Sequence, residues 1–377
     1  MTSDPIPFLA FKNPRTRPLQ RDRAPVRDHR EGREYHASEP LKAAMDAAML
    51  LGMPLLLTGE PGSGKTQAAY WLSRALGEEE KSTKPRLLRS DVKSTMSGRD
   101  LLYRFDEVAR FRDSAGNKTP RALIDYIEFE ALGEAIIRAG GGAAKLLPLG
   151  SRDPKEIAAR AFGKEVGDLI AADLLPGDPA FAEALPECRV VLIDELDKAP
   201  RDTPNDLLAE IENMAFSIPE LGLRVDSRGD GGSDTPADQR PIVVITSNSE
   251  RDLPEPFLRR CAFCHIDFPG EEEVRKIARD AIGRLATAPD NGLLGSATQF
   301  LFLLRRSSLH RVPGTAEFLA WCARLADERF KMPLDRGFDA ASEEQRRKIA
   351  ETLGLLVKNE SDLAIARQKL QEFRPKG

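Results

Sequence analysis

The sequence predicts an α/β fold, a parallel sheet sandwiched between helices, followed by a small wholly helical domain. Three observations carry this. Aliphatic runs at Pro54–Leu57, Val190–Ile193 and Ile242–Ile245 each end in polar residues. Short apolar runs of this kind read as parallel strands buried on both faces, and open sheets of such strands bind ligands at their carboxyl ends. The first run leads through a glycine-rich segment into a helical pattern. From Gly270 onward the pattern is helical throughout, with Val274, Ile277, Ala278, Ala281 and Ile282 on one stripe and Phe318, Leu319, Cys322 and Leu325 on another.

The glycine-rich segment runs Gly59-Glu60-Pro61-Gly62-Ser63-Gly64-Lys65-Thr66, with Gln67 next. Its glycines allow backbone conformations that turn successive N–H groups toward a β-phosphate, and the helix starting near Lys65 adds its positive end. Lys65 supplies a mobile charge for the β- and γ-phosphates, and the Thr66 hydroxyl is placed to ligate Mg²⁺. A glycine-rich turn matching by chance is the bland alternative, and the strand before and helix after argue against it. A phosphate loop needs an acidic partner to orient the metal. Asp194, at the end of the second run, is placed to hold the Mg²⁺ shell, and Glu195 is the candidate general base. Asn248, at the tip of the third run, suits an amide that positions the attacking water. Arg259 and Arg260 follow in the segment Leu253 to Arg260. They read either as ordinary surface ion pairs or as a finger offered to a neighbouring subunit's γ-phosphate.

In this order, the motifs GEPGSGKT, LIDELDKAP, ITSN and LPEPFLRR resemble those of the AAA+ ATPases, and more closely the MoxR branch. The segment GRDLLYRFDEVARF, Gly98 to Phe111, resembles one MoxR subgroup. The resemblance spans most of residues 35 to 375. It implies a P-loop αβα domain followed by a helical lid, with ATP and Mg²⁺ as cofactors. It also implies a homo-oligomeric ring, usually a hexamer, and a protein partner, often of von Willebrand factor A type. Arg260 matches the finger by position, and Arg259 stands where an acidic residue is common. Relatives carry a lid arginine that contacts the γ-phosphate in cis. None stands at the aligned position here, and Arg311 is the nearest substitute. The resemblance also places Tyr35 and His36 near the adenine pocket, and Tyr103 and Phe105 where a ring would grip its substrate chain, although aromatics in such a pattern more often pack.

Composition adds limits. The net charge of −4 gives no global attraction to nucleic acid or to an anionic membrane. No run has signal-peptide form or membrane-spanning length, so a cytoplasmic protein without membrane insertion is expected. Cys261-Ala-Phe-Cys264-His265 spells a haem-attachment pattern or half a zinc site. Its alternation reads better as a fifth strand whose cysteines pack as small hydrophobes.

Along the chain, residues 1–34 are expected to form an extended basic arm, either a solvated tail or one that packs on a neighbour. The α/β domain is expected over 35–269 and the lid over 270–377. Ser38 reads as a helix cap with Leu41, Ala44, Met45 and Ala48 on one face. Arg86–Ser90 reads as the second strand, and Leu123–Ala139 as one helix stopped by Gly140-Gly141-Gly142. Residues 140–187 form an insert longer than the sheet requires. It is expected to hold a helix over Asp153–Phe162 and a second through Val166, Leu169, Ile170 and Leu174. Their apolar faces either fold back on the core or meet another chain. Arg224–Arg240 reads as a mobile loop.

Two functional classes remain open from sequence. One is an ATP-driven, chaperone-like remodeller of a protein partner. The other is a nucleotide-controlled switch or a nucleic-acid-acting motor of a restriction or defence system. The charge balance, and the lack of a basic stretch interleaved with aromatics, favour the first.

Overall fold

The computed structural model describes residues 35–77, 87–115, 121–164, 168–227, 239–327 and 332–375. The arm expected at 1–34 lies outside them. The chain divides into two compact units. The sheet unit holds Ala37–Gly59 and Lys65–Ile266, and the helical unit holds Glu60–Gly64, the residues from Asp267 on, and Tyr35 with His36.

The sheet unit begins with α1 (Glu39–Leu51), whose cap Ser38 accepts from the Leu41 N–H and whose end is closed by left-handed Gly52. Strand β1 (Leu55–Thr58) is buried along its length and leads to α2 (Lys65–Gly77). Then come β2 (Leu87–Asp91), β3 (Tyr103–Phe105), α3 (Glu107–Ala115), β4 (Ile127–Phe129), α4 (Ala131–Gly140), β5 (Leu147–Pro148) and α5 (Pro154–Phe162). Strand β6 (Val190–Asp194) precedes α6 (Thr203–Asp206), α7 (Leu208–Asn213), β7 (Ala215–Ile218) and β8 (Leu223–Asp226). The unit closes with β9 (Ile242–Ser247), α8 (Glu255–Leu258) and β10 (Ala262–His265). The main sheet has the order β10-β1-β9-β6-β2, and all its pairs are parallel. Helices flank this parallel sheet, and its order aligns the carboxyl ends of β1, β6 and β9 side by side.

Three sequence expectations are corrected. The helix expected over Leu123–Ala139 is a single 3₁₀ turn, then β4 paired antiparallel with β3, then α4. Long-range pairing overrides the local period because Tyr103, fully buried, needs Phe129 and Phe216 as ring neighbours. The Tyr103 hydroxyl donates to Glu220, so this side chain follows the packing reading of such aromatics, while Phe105 lies half-buried against Tyr126. The exposed apolar side chains nearby are Val108 and Phe111 on α3. Arg224–Asp226, read as loop, belongs to β8, which pairs with β7 and β5 in a second, three-stranded sheet. Residues 228–238 of that expected loop lie outside the described residues.

In the insert, α5 forms with Asp153 as its cap and left-handed Gly163 at its end. The second helix does not form. Ile170 bridges to Lys145, and Ala171–Leu174 is one 3₁₀ turn; Val166 lies outside the described residues. The apolar face folds inward, since Ile157, Ala161, Leu169, Leu174 and Phe181 belong to the same core as Val191 and Ile193 of β6. The approach is close enough that a Cβ on Gly142 would stand 1.8 Å from the Phe181 carbonyl oxygen.

The helical unit contains α9 (Glu271–Ala281), α10 (Leu293–Arg305), α11 (Thr315–Leu325), α12 (Glu343–Thr352) and α13 (Glu360–Glu372). Phe300, Trp321, Phe338 and Phe373 cluster in its core, edge-on except for the tilted Phe300–Trp321 pair, and the Trp321 indole N–H donates to Thr352. No helix among the described residues is long and apolar enough to cross a membrane.

Because the insert shares the main core, Phe181→Ala is expected to cost about 3–5 kcal/mol of unfolding free energy in a denaturant titration. A loss below about 1 kcal/mol would mark the insert as a peripheral excursion.

Candidate active site

The carboxyl ends of β1, β6 and β9 bring three of the sequence motifs together within the sheet unit. Gly59 leaves β1 at φ 146°, a conformation that L side chains rarely adopt. Lys65 is buried, and its ammonium donates to the Gly59 carbonyl oxygen at 2.8 Å. One residue on, the Thr66 hydroxyl donates to Asp194 Oδ1 at 3.1 Å. Gln67 follows in the first turn of α2.

Asp194 ends β6 and is only 7% exposed. A carboxylate this deep must be compensated by donors. Besides Thr66, the Thr246 hydroxyl donates to Oδ1 at 2.7 Å, and Arg89 Nη2 lies 2.9 Å from Oδ2. Thr246 also accepts the Glu195 N–H at 2.8 Å and so links β9 to the turn after β6.

Glu195 itself sits at φ 62°, in the left-handed region. For a residue with a side chain this costs on the order of 1–2 kcal/mol, a strain typical of functional positions. The turn aims its carboxylate away from Asp194. Glu195 Oε1 accepts from Asn248 Nδ2 at 2.9 Å, and Oε2 pairs with Lys198. Burial pushes the Glu195 carboxyl up, but the hydrogen bonds from Lys198 and Asn248, with the charges of Lys198 and Lys65, outweigh it and hold the group below the usual range. Asn248 is fixed in turn by Asp197, whose buried Oδ2 accepts the N–H groups of Asn248 and Glu250 at 3.1 and 3.0 Å.

Arg259 and Arg260 follow α8. Arg259 is highly exposed and paired with Glu255, whereas Arg260 is half-exposed, with Nε 2.5 Å from Glu212 on α7.

The loop residues Glu60–Gly64 group with the helical unit. Glu60 pairs with Arg305, the last residue of α10, whose guanidinium lies 3.4 Å from the Phe268 ring centroid and donates to the Pro313 carbonyl oxygen. Gly62 has φ 80°, and a Cβ there would stand 3.0 Å from the Thr315 nitrogen at the start of α11. The Ser63 hydroxyl is buried and has no hydrogen-bond partner. Pro61 lies beside Gly314, and the Tyr35 ring packs against Gly64, which has φ 99°. His36 lies 3.7 Å from Asp280. Arg311 is exposed, and its backbone N–H donates to Asp362. Within the helical unit, the arginine paired with Glu60 is Arg305.

Sequence reasoning missed Thr246, Arg89, Asp197, Lys198 and Arg305. Thr246 was the most accessible of these, because a hydroxyl within the aliphatic β9 run is a polar interruption that burial must satisfy.

No protein-family model matches the chain, and no curated protein matches it. Among solved structures, NtrX from Brucella abortus is similar with a TM-score of 0.42 and 12% identity, over 91% of this chain and 62% of that one. This chain thus spans less than two thirds of NtrX. Domain III of the Thermotoga maritima replication initiation protein DnaA is similar with a TM-score of 0.39 and 12% identity, over 89% of this chain and 99% of that one.

The Asp362 anchor of Arg311 has a pH signature. Asp362 is fully buried. Burial would push its carboxyl up, but the N–H groups of His310 and Arg311 and the Asn359 amide hold it down at about 2. A folded-state value below the unfolded one, about 3.9, stabilises the helical unit above that pH, and the contribution is lost as pH falls toward 2. An acid titration followed by Trp321 fluorescence should show this loss. Asp362→Asn should already be destabilised at pH 7 and lose less on acidification.

Proposed function

We propose that this chain is a Mg²⁺-dependent ATP hydrolase of MoxR-like AAA+ type, which drives chaperone-like remodelling or activation of a protein partner from within a homo-oligomeric ring. The observation that carries the hydrolase reading is the Thr66–Asp194 hydrogen bond. It joins the end of the phosphate-loop motif to the end of β6, with Glu195 next in the chain and Asn248 on Glu195.

The residues suit the cofactors. Lys65 is buried with its ammonium on the Gly59 carbonyl oxygen, where the loop begins, and the buried Ser63 hydroxyl lacks a partner. Gly59, Gly62 and Gly64 all have positive φ, as a backbone cradle for phosphate oxygens requires. Thr66 and Asp194 would hold Mg²⁺, which when bound supplies positive charge against the β- and γ-phosphate oxygens. Glu195, kept ionised by Lys198 and Asn248, takes the proton of the attacking water, and Asn248 orients that water. Arg260 leaves Glu212 to reach the neighbouring subunit's γ-phosphate. The protein partner is of von Willebrand factor A type, and the setting is cytoplasmic. The nucleic-acid-motor reading is less favoured by the net charge of −4.

Glu195→Gln is expected to bind ATP with unchanged affinity and to lower turnover by about two orders of magnitude or more in a phosphate-release assay. Lys65→Ala should weaken ATP binding itself. Wild-type turnover in Glu195→Gln would remove that carboxylate from the mechanism.

Arg260→Ala should bind ATP normally and hydrolyse poorly, since an arginine supplied in trans is worth about three to five orders of magnitude in related transfers. Mixing it with Glu195→Gln should restore part of the activity at interfaces that pair an intact finger with an intact base. No recovery on mixing, together with wild-type turnover by a dilute monomer, would exclude a trans role.

A further inference from the structure

Asp194 is shared by more groups than metal binding requires. Its Oδ1 accepts from Thr246 and Thr66, the Thr66 hydroxyl also lies 3.3 Å from Oδ2, and a full positive charge faces Oδ2, with Arg89 Nη2 at 2.9 Å. A carboxylate that holds a cation's hydration shell needs an oxygen free to accept from it. Here that oxygen is engaged by a guanidinium.

Arg89 also has a second seat. On β2 it stands two residues before Asp91, so both side chains lie on one face of the strand. Arg89 Nε and Nη2 are 2.9 and 2.6 Å from Asp91 Oδ1. Asp91 is 69% exposed, while the Asp194 side chain is 9% exposed. The arginine therefore bridges a wet carboxylate and a dry one. Among the described residues, β2 lies at the sheet's edge and pairs only with β6, in the register Asp91↔Asp194. A small rotation of the guanidinium is enough to leave Asp194 without losing Asp91.

We propose that Arg89 is a built-in competitor of the divalent cation. It neutralises Asp194 while no metal is bound, and it withdraws onto Asp91 when metal and nucleotide enter. The inference rests on the Mg²⁺–nucleotide reading of the site and adds a residue that sets the metal requirement. In a partly dry site the repulsion between a guanidinium and a divalent cation on one carboxylate is strong, so removing the arginine should favour the metal. Removing Asp91 should do the opposite, because the guanidinium then loses its wet carboxylate and keeps Asp194, with the Tyr70 hydroxyl as its other neighbour.

The test is nucleotide binding, not turnover. The affinity of the full chain for a fluorescent ADP analogue is measured across a Mg²⁺ titration, and Mn²⁺ uptake in the presence of ADP is followed by electron paramagnetic resonance. Arg89→Gln is expected to lower the half-saturating Mg²⁺ concentration by about five-fold or more and to tighten Mn²⁺ binding, with affinity at saturating Mg²⁺ little changed. Asp91→Asn is expected to raise the half-saturating concentration. An unchanged or raised Mg²⁺ requirement in Arg89→Gln overturns the proposal. If that variant does not fold, an unchanged or lowered requirement in Asp91→Asn overturns it. If wild-type nucleotide binding itself ignores Mg²⁺, the Mg²⁺–nucleotide reading falls and this inference with it. A Mg²⁺-dependent wild type with a flat Arg89→Gln sinks this inference alone.

Discussion

The buried carboxylate of Asp194 is the constraint on which the rest of the sheet unit depends. An ion taken this far out of water loses several kcal/mol of solvation unless donors surround it. The donors come from three different elements: Thr66 from α2, Thr246 from β9 and Arg89 from β2. Only a strand order that places β6 between β9 and β2, with α2 close by, can deliver all three. The order β10-β1-β9-β6-β2 satisfies that condition. The short aliphatic strands supply the burial, and the polar residues at their ends supply its compensation.

A second constraint follows at the next residue. Asp194 and Glu195 are adjacent carboxylates, and like charges side by side would raise one pKa and blur their roles. The left-handed backbone at Glu195 separates them by redirecting the second carboxylate toward Asn248 and Lys198. Strain of this size persists only where the surroundings over-determine it. The Glu195 N–H is tied to Thr246, and Asp197 binds the Asn248 turn twice, which supplies that over-determination. Two carboxylates next to each other in the chain thus meet different environments, one buried among donors and one beside a half-exposed lysine.

Where the sequence was legible, a single strong local signal coincided with burial. The β1, β6 and β9 runs, the Ser38 and Asp153 caps and the apolar stripes of α9 and α11 all have that character. It failed where a long-range contact decided the outcome. Leu123–Ala139 carries enough apolar residues for a helix, yet β3 claims Ile127–Phe129 as its partner because Tyr103 requires an aromatic wall. The insert's second helix gives way to a bridge with Lys145 for the same kind of reason. Motif spacing singles out Lys65, Thr66, Asp194, Glu195 and Asn248, and the structure pairs Thr66 with Asp194 and Asn248 with Glu195. Arg89 and Thr246 were not legible, since nothing in an isolated β2 or β9 says which neighbour its polar side chain will face.

In the helical unit, helix electrostatics accounts for where an arginine and an acid stand. The first turn of α11 carries Glu317, whose carboxylate caps the Gly314 N–H at 3.2 Å. That is the favourable sign for a helix N-terminus, where an arginine would be disfavoured. Arg311, a few residues earlier, has its backbone held by Asp362 and is exposed. The negative end of a helix is the place that suits a cation, and Arg305 occupies the last turn of α10. Its side chain is 11% exposed, stacked on Phe268 and bonded to Pro313, so its planar guanidinium reaches Glu60 with little freedom left to lose. Within the helical unit, Glu60 is therefore held by an arginine from the end of one helix, while the start of the next is stabilised by an acid.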